Sequence, residues 1–270
     1  MALTAEGRAL TDAHRREQVG IGANANIVGR SLWANLDPDR LDASATAWLE
    51  ANVSAAARYH RDSSSAAARY VQRYRVAELG DGSGPVEYPS FDAAAARREL
   101  LLAGPVRVKL LVKGGMDGRS AHAAALTKYA GILGRSSMMG GRKLIDGTAG
   151  ADTRAVGWRR VSDGDPCSFC AMLCSRGPVY RSGASSGTDD GVLHDNKSGL
   201  RFHGHCGCTA EIVYGEWTPN EAEQHYIDLY EDAAQKATAV NGVRTQETVL
   251  WRMRRDGDLR DSAARRAVTP

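Results

Sequence analysis

The chain reads as an α+β protein, predominantly α-helical. It divides into a helical N-terminal region (about 1–150), a small antiparallel β module (about 151–216) and a helical C-terminal tail (217–270). Three observations predict this. Apolar residues recur every three or four positions through the first half, the period of a helix with one buried face. After residue 150 come short β-prone runs bounded by turn residues. Within that second part, Cys167-Ser-Phe-Cys170 is answered by His203-Gly-His205-Cys206-Gly-Cys208. These are the soft ligands that tetrahedral zinc takes, so the module reads as zinc-stabilised.

In chain order, Asp37-Pro38 predicts a helix opening, Asp as N-cap and Pro at the first helical position. Leu41, Ala45, Trp48, Leu49, Val53 and Ala56 then recur at helical spacing, and the pattern resumes through Ala67, Tyr70, Val71 and Tyr74 after an interruption near Asp62–Ser65. Gly80-Asp-Gly-Ser-Gly-Pro85 is a break. A helix is expected after Ser90 or Asp92, ending at Gly104-Pro105. Another covers Val106–Lys113, and one more covers Ser120–Leu133. These stripes read as core and inter-helix packing. Three strands are expected at Ala155–Val161, Pro178–Arg181 and Thr209–Tyr214, with Ser182–Ser198 as an exposed polar loop. Thr218-Pro219 with Glu221 opens a further helix, and Thr245–Arg260 is the last.

Hydrophobic content of 43% and charge of 25% are those of a globular protein. A net charge of +3, with no block of about five or six like charges, does not mark a dedicated nucleic-acid binder. No stretch approaches the roughly 18 apolar residues of a membrane span, and the N-terminus lacks a secretory apolar run. The expectation is synthesis in a cytoplasm, with no membrane partner. Thiols stay reduced there, which favours metal over disulfide.

All five cysteines lie between 167 and 208. Cys167 and Cys170 are the leading metal ligands, and His203 and Cys206 repeat their i, i+3 spacing. Cys208 faces the same way as Cys206 if a strand has begun, and can replace His203 or Cys206. His205 and Cys174 rank lower. Metal binding would offset the ordering cost of segment 171–202. No catalytic residue and no organic cofactor site is assigned. A zinc deaminase needs an upstream His-x-Glu, and none occurs. A thioredoxin-like pair needs a βαβ setting. A cysteine nucleophile can be drawn with Cys206 beside His205, or with Cys167 reaching His203.

The run Gly157-Trp-Arg-Arg-Val-Ser-Asp-Gly-Asp-Pro-Cys-Ser-Phe-Cys-Ala-Met-Leu, then Arg176-Gly-Pro-Val-Tyr180 and Phe202-His-Gly-His-Cys-Gly-Cys-Thr209, resembles the minor head proteins of tailed bacteriophages. These are the Mu F-like or SPP1 gp7-like head morphogenesis proteins, particularly the form in phages of actinobacteria. Asp163, Cys167, Cys170, Gly177, His203, Cys206 and Cys208 fall on the family pattern, whose commoner closing form is His-Pro-Asn-Cys-Arg-Cys. The resemblance covers roughly 155–214. It implies a virion protein, present in few copies near the portal, that assists procapsid assembly or DNA packaging and ejection. The partners it implies are the portal protein and major capsid or scaffold subunits, with packaged DNA as an additional contact. Such proteins are sometimes labelled capsid maturation proteases, a reading that lacks a convincing Ser/His/Asp set here. A third alternative is a zinc module touching DNA through Arg154, Arg159, Arg160 and the Arg252–Arg255 group.

Overall fold

The computed structural model describes residues 2–180, 202–237, 245–257 and 259. Three long helices, α1 (Ala5–Trp33), α2 (Leu41–Leu79) and α5 (Gly118–Ala151), pack against one another. The short α3 (Ala93–Ala103) and α4 (Pro105–Lys113) lie against α2 and α5. The caps follow from residue chemistry. Thr4, Asp92 and Asp117 each accept a backbone N–H of the first turn, offsetting orphan donors. Glu78, near the end of α2, accepts from Leu3 N at 2.7 Å and Thr4 N at 3.0 Å, fixing the start of α1 beside it.

Three helical expectations change. Asp37 does not cap α2: its Oδ1 closes a turn by accepting from Asp39 N at 2.9 Å, and the helix begins at Leu41. No interruption occurs at Asp62–Ser65, because α2 runs straight through. Ser63 and Ser64 are buried and polar for a reason. Ser63 Oγ donates to Gln18 Oε1 of α1 at 2.6 Å and accepts from Gly141 N of α5 at 2.8 Å. Third, α5 continues well beyond Leu133 through a glycine-rich stretch.

That stretch is a helix crossing. A Cβ on Gly140 would collide with the His60 carbonyl oxygen on α2, so only glycine lets the two backbones approach this closely. Gly20 on α1 has nothing within 4 Å of a virtual Cβ. The two positions therefore predict opposite signs. Gly140→Ala should destabilise by about 1–3 kcal/mol from overpacking against rigid backbone. Gly20→Ala should stabilise by about 0.5–1 kcal/mol through helix propensity. Thermal melts of both variants check this, and equal shifts would refute the crossing argument.

Among the described residues the core has two apolar clusters. One joins Trp33, Trp48, Leu100, Val108, Tyr129 and Leu133. The other runs from Tyr70, Tyr74, Leu144 and Ile145 of the long helices into Trp158, Leu173, Phe202, Ile212, Leu229 and Met253. Apolar packing thus continues past residue 150.

Beyond α5, β1 (Gly157–Val161) and β2 (Thr209–Val213) form a two-stranded antiparallel sheet, Trp158 opposite Ile212 and Arg159 opposite Glu211. The architecture is predominantly helical α+β, as expected. Among the described residues the third strand is not formed: Pro178–Tyr180 contributes an isolated bridge, Trp158 to Tyr180, and Arg181 lies outside them. So small a sheet is marginal alone. Here it packs on α5, and Trp158 Nε1 donates to Asp146 Oδ1 at 2.7 Å. The Ser182–Ser198 loop lies outside the described residues.

Helix α6 (Ser168–Cys174) follows β1, and α7 (Glu221–Lys236) and α8 (Gln246–Asp256) follow β2. Helix α7 opens on a capping box of Asn220 and Glu223 rather than on Thr218-Pro219. Thr245 caps α8, whose expected end near Arg260 falls partly outside the described residues. No described helix is long and apolar enough to cross a membrane.

Candidate metal centre

Cys-x-x-Cys opens α6. Cys167 is the N-cap, its Sγ accepting from Cys170 N at 3.4 Å. This geometry turns the Cys167 and Cys170 sulfurs toward one another. The second half arrives on the segment entering β2. Cys206 N donates to the His203 carbonyl at 3.2 Å, closing a turn that passes through His205 at φ +62°. This left-handed conformation is uncommon outside glycine, though histidine adopts it more often than most residues.

The turn carries His203 and Cys206 onto the first pair. His203 Nε2 is 3.1 Å from Cys167 Sγ and 3.3 Å from Cys170 Sγ, and Cys206 Sγ is 3.5 Å from Cys170 Sγ. Two triads of donor atoms result, each drawn together within 4.8 Å: Cys167–Cys170–His203 and Cys170–Cys206–Cys208. Cys170 belongs to both. All five residues named from sequence therefore converge, and all four cysteines are buried.

The donor set fits a metal ion. A tetrahedral site with Zn–S bonds of ~2.3 Å and Zn–N bonds of ~2.0 Å has edges of ~3.5–3.8 Å. The separations of 3.1, 3.3 and 3.5 Å lie at the lower edge of that range or a few tenths of an ångström below it, so an ion would push the donors slightly apart. His203 Nδ1 lies 2.7 Å from the Gly204 carbonyl. Donating its proton there leaves Nε2 free to ligate, the usual outer-shell arrangement. The proton balance agrees. Cys167 is pulled down to about 5 by its hydrogen bonds with Cys170 and His203, against the effect of burial. Cys170 is pushed well up by hydrogen bonds with Cys167, Cys206 and Cys208. Burial lowers His203, but its Cys167 hydrogen bond and the nearby sulfurs outweigh it and raise the ring to about 9. Crowded sulfurs that contend for protons are relieved by a divalent cation.

Two lower-ranked candidates separate from the centre. His205 Nε2 donates to the Thr127 carbonyl on α5 at 2.9 Å, not to the sulfurs. Gly131 makes this possible, since a Cβ there would lie 2.7 Å from His205 Nε2. Cys174 is buried in α6 and belongs to neither triad.

Of the arginines offered as phosphate contacts, Arg154, Arg159 and Arg160 are engaged within the fold. Arg159 is 3% exposed and Arg160 is fully buried. Arg159 Nε donates to Glu211 at 2.7 Å, and its Nη1 pairs with Glu223. Arg154 pairs with Asp152 at 3.1 Å and Asp81 at 3.4 Å. A strand covered on both faces turns charged side chains inward, where pairing is obligatory.

A model of the family described as "VG15 protein" matches residues 6–237. The chain belongs to the VG15 protein family. The match takes in all five long and short helices of the first half, the sheet, the sulfur cluster and α7. This VG15 chain is similar to the "Gene 15 protein" of Mycobacterium phage D29, with 29% identity over 148 residues. The alignment covers 46% of this chain and 54% of that relative, so the chain spans about half the relative's length. No solved structure matches. The family match and this relative together support a phage-encoded protein.

One motif went unread in the sequence. Gly183-Ala-Ser185-Ser-Gly187 has the Gly-x-Ser-x-Gly spacing of a hydrolase nucleophile elbow. It falls outside the described residues, within a Ser/Gly/Asp-rich run where such strings arise from composition alone.

Proposed function

We propose that this VG15 protein is a minor capsid protein of a tailed-phage head. It is incorporated in few copies near the portal, where it assists procapsid assembly or DNA packaging and ejection, and it carries a structural zinc ion. The observation that carries the reading is the burial of the sulfur cluster at the junction of α5, α6 and β2. Zinc held by Cys167, Cys170, His203 and Cys206, with Cys208 beside Cys206, would cross-link two segments far apart in sequence. A site closed by four protein ligands stabilises a fold; a catalytic zinc keeps one position open. The phage relative and the spacing of the cysteines and histidine support the head-assembly role.

A cysteine-dependent maturation protease is the second reading, favoured by the Cys167–His203 contact at 3.1 Å. Cys167 is only 3% exposed, which sets its sulfur away from any polypeptide substrate.

The deciding experiment is to purify assembled particles and measure the copy number of this chain relative to portal subunits. The expected result is co-sedimentation at a few copies per particle. Absence from particles, or loss of capsid-protein cleavage in a Cys167→Ala phage that still folds the protein, would overturn the structural assignment.

A further inference from the structure

One side chain outside the sulfur cluster reaches into its backbone. Arg142, on α5, is 2% exposed. Its Nε and an Nη donate to the Cys208 carbonyl at 3.1 and 2.8 Å, and the same Nη donates to the Cys206 carbonyl at 2.6 Å. The guanidinium lies 4.0 Å from the Phe202 ring centroid, and that of buried Arg160 lies 3.5 Å from the same ring. Thus the segment delivering His203, Cys206 and Cys208 is gripped at both ends of its cysteine pair, and its leading aromatic is gripped as well.

Charge gives the grip a second purpose. Three thiolates, one neutral imidazole and one divalent ion sum to −1. Burying that charge is costly unless an opposite charge accompanies it. A desolvated guanidinium beside an uncharged cluster would carry the same cost with no compensation.

We propose that Arg142 is the positioning residue of the metal centre. It holds the Cys206–Cys208 backbone in ligating geometry and offsets the −1 charge of the thiolate–zinc unit. This rests on the zinc reading above. Arginine suits the task because its planar fork addresses two carbonyls at once, which a lysine ammonium cannot reproduce.

The test uses full-length protein and Zn²⁺ in competition with a chromophoric chelator, with Co²⁺ spectra as the geometric readout. Arg142→Met should bind Zn²⁺ about 10–100-fold more weakly, the usual cost of removing an outer-shell partner. Arg142→Lys keeps the charge but loses the fork. It should fall between the two and shift the Co²⁺ d–d bands. Arg75→Met is the control for general destabilisation: Arg75 is buried too, but it bonds to Asp152, Tyr214 and Pro85 rather than to the cluster. It should lower the melting temperature and leave Zn²⁺ affinity within about twofold of wild type, below the range set by outer-shell losses. Should Arg142→Met fail to fold, Arg142→Lys alone decides. Wild-type affinity and an unchanged Co²⁺ spectrum in Arg142→Lys, or an equal affinity loss in Arg75→Met, overturns the proposal. A wild-type protein that binds no Zn²⁺ sinks the zinc reading itself, whereas normal binding by all variants sinks only the role of Arg142.

Discussion

Cys170→Ser is expected to strip the protein of zinc and to unfold the region around α6 and 202–208. Cys170 is the sulfur common to both donor triads, so its loss leaves no complete triad. Structural zinc contributes roughly 10–16 kcal/mol of apparent binding energy in small zinc domains. Only part of that should appear as lost stability here, because the sheet and α6 also pack on the apolar core shared with α2 and α5. A loss on the order of several kcal/mol, with new protease cleavage near the cluster, is the expected result. Treating wild type with a strong chelator should reproduce it. The measurement is metal content beside a melting curve. A serine variant that keeps its zinc and its melting temperature would defeat the structural-zinc reading.

Arg159→Met should be nearly as damaging for a different reason. Arg159 on β1 faces Glu211 on β2 and Glu223 at the start of α7, with side chains 4%, 1% and 6% exposed. Glu223 also accepts from Asn220 N at 3.0 Å in the capping box. One guanidinium therefore fastens both strands and the next helix. Removing it strands two buried carboxylates side by side, and breaking a buried pair in this way costs about 3–5 kcal/mol. For a chain of this size that corresponds to a fall in melting temperature of roughly 10 °C. Neutralising the stranded partners should recover most of the loss, so Arg159→Met/Glu211→Gln/Glu223→Gln should melt well above the single variant. If the single variant melts like wild type, the triad contributes nothing to stability.

Comparing the reading of the sequence with the fold shows which kinds of information are local. The helix starts near Asp92 and Thr245, the break at Gly80–Pro85 and the Gly104-Pro105 junction were legible because each depends on a few neighbouring residues. The Cys and His positions were legible for the same reason: their spacing reflects ligand geometry within one helix start and one turn. Ser63 and Ser64 were misread as part of an interruption, and the helix that ends at Ala151 was expected only as far as Leu133, short of Gly140 and Gly141. Small polar residues signal a turn when exposed, yet they serve equally at a close helix crossing. Only the partner helix distinguishes the two.

The charged residues of β1 show the same limit. Arg159 and Arg160 were offered as phosphate contacts because the partners they meet in the fold are remote in sequence. Glu211 and Glu223 lie 52 and 64 positions away. Likewise, nothing near Arg142 announces a link to Cys206 and Cys208, and nothing near His205 announces the Thr127 carbonyl that takes it out of the ligand set. Periodicity, capping and ligand spacing act over one turn or two of chain, so the linear order of residues sufficed for helical character, for the small sheet and for the gathering of sulfurs. Which histidine faces the sulfurs, which arginine holds their backbone and which glycines admit a neighbouring helix depended on contacts between segments that meet only in space. Burial converts those meetings into energy, because a charge or a Cβ out of contact with water must match whatever lies against it.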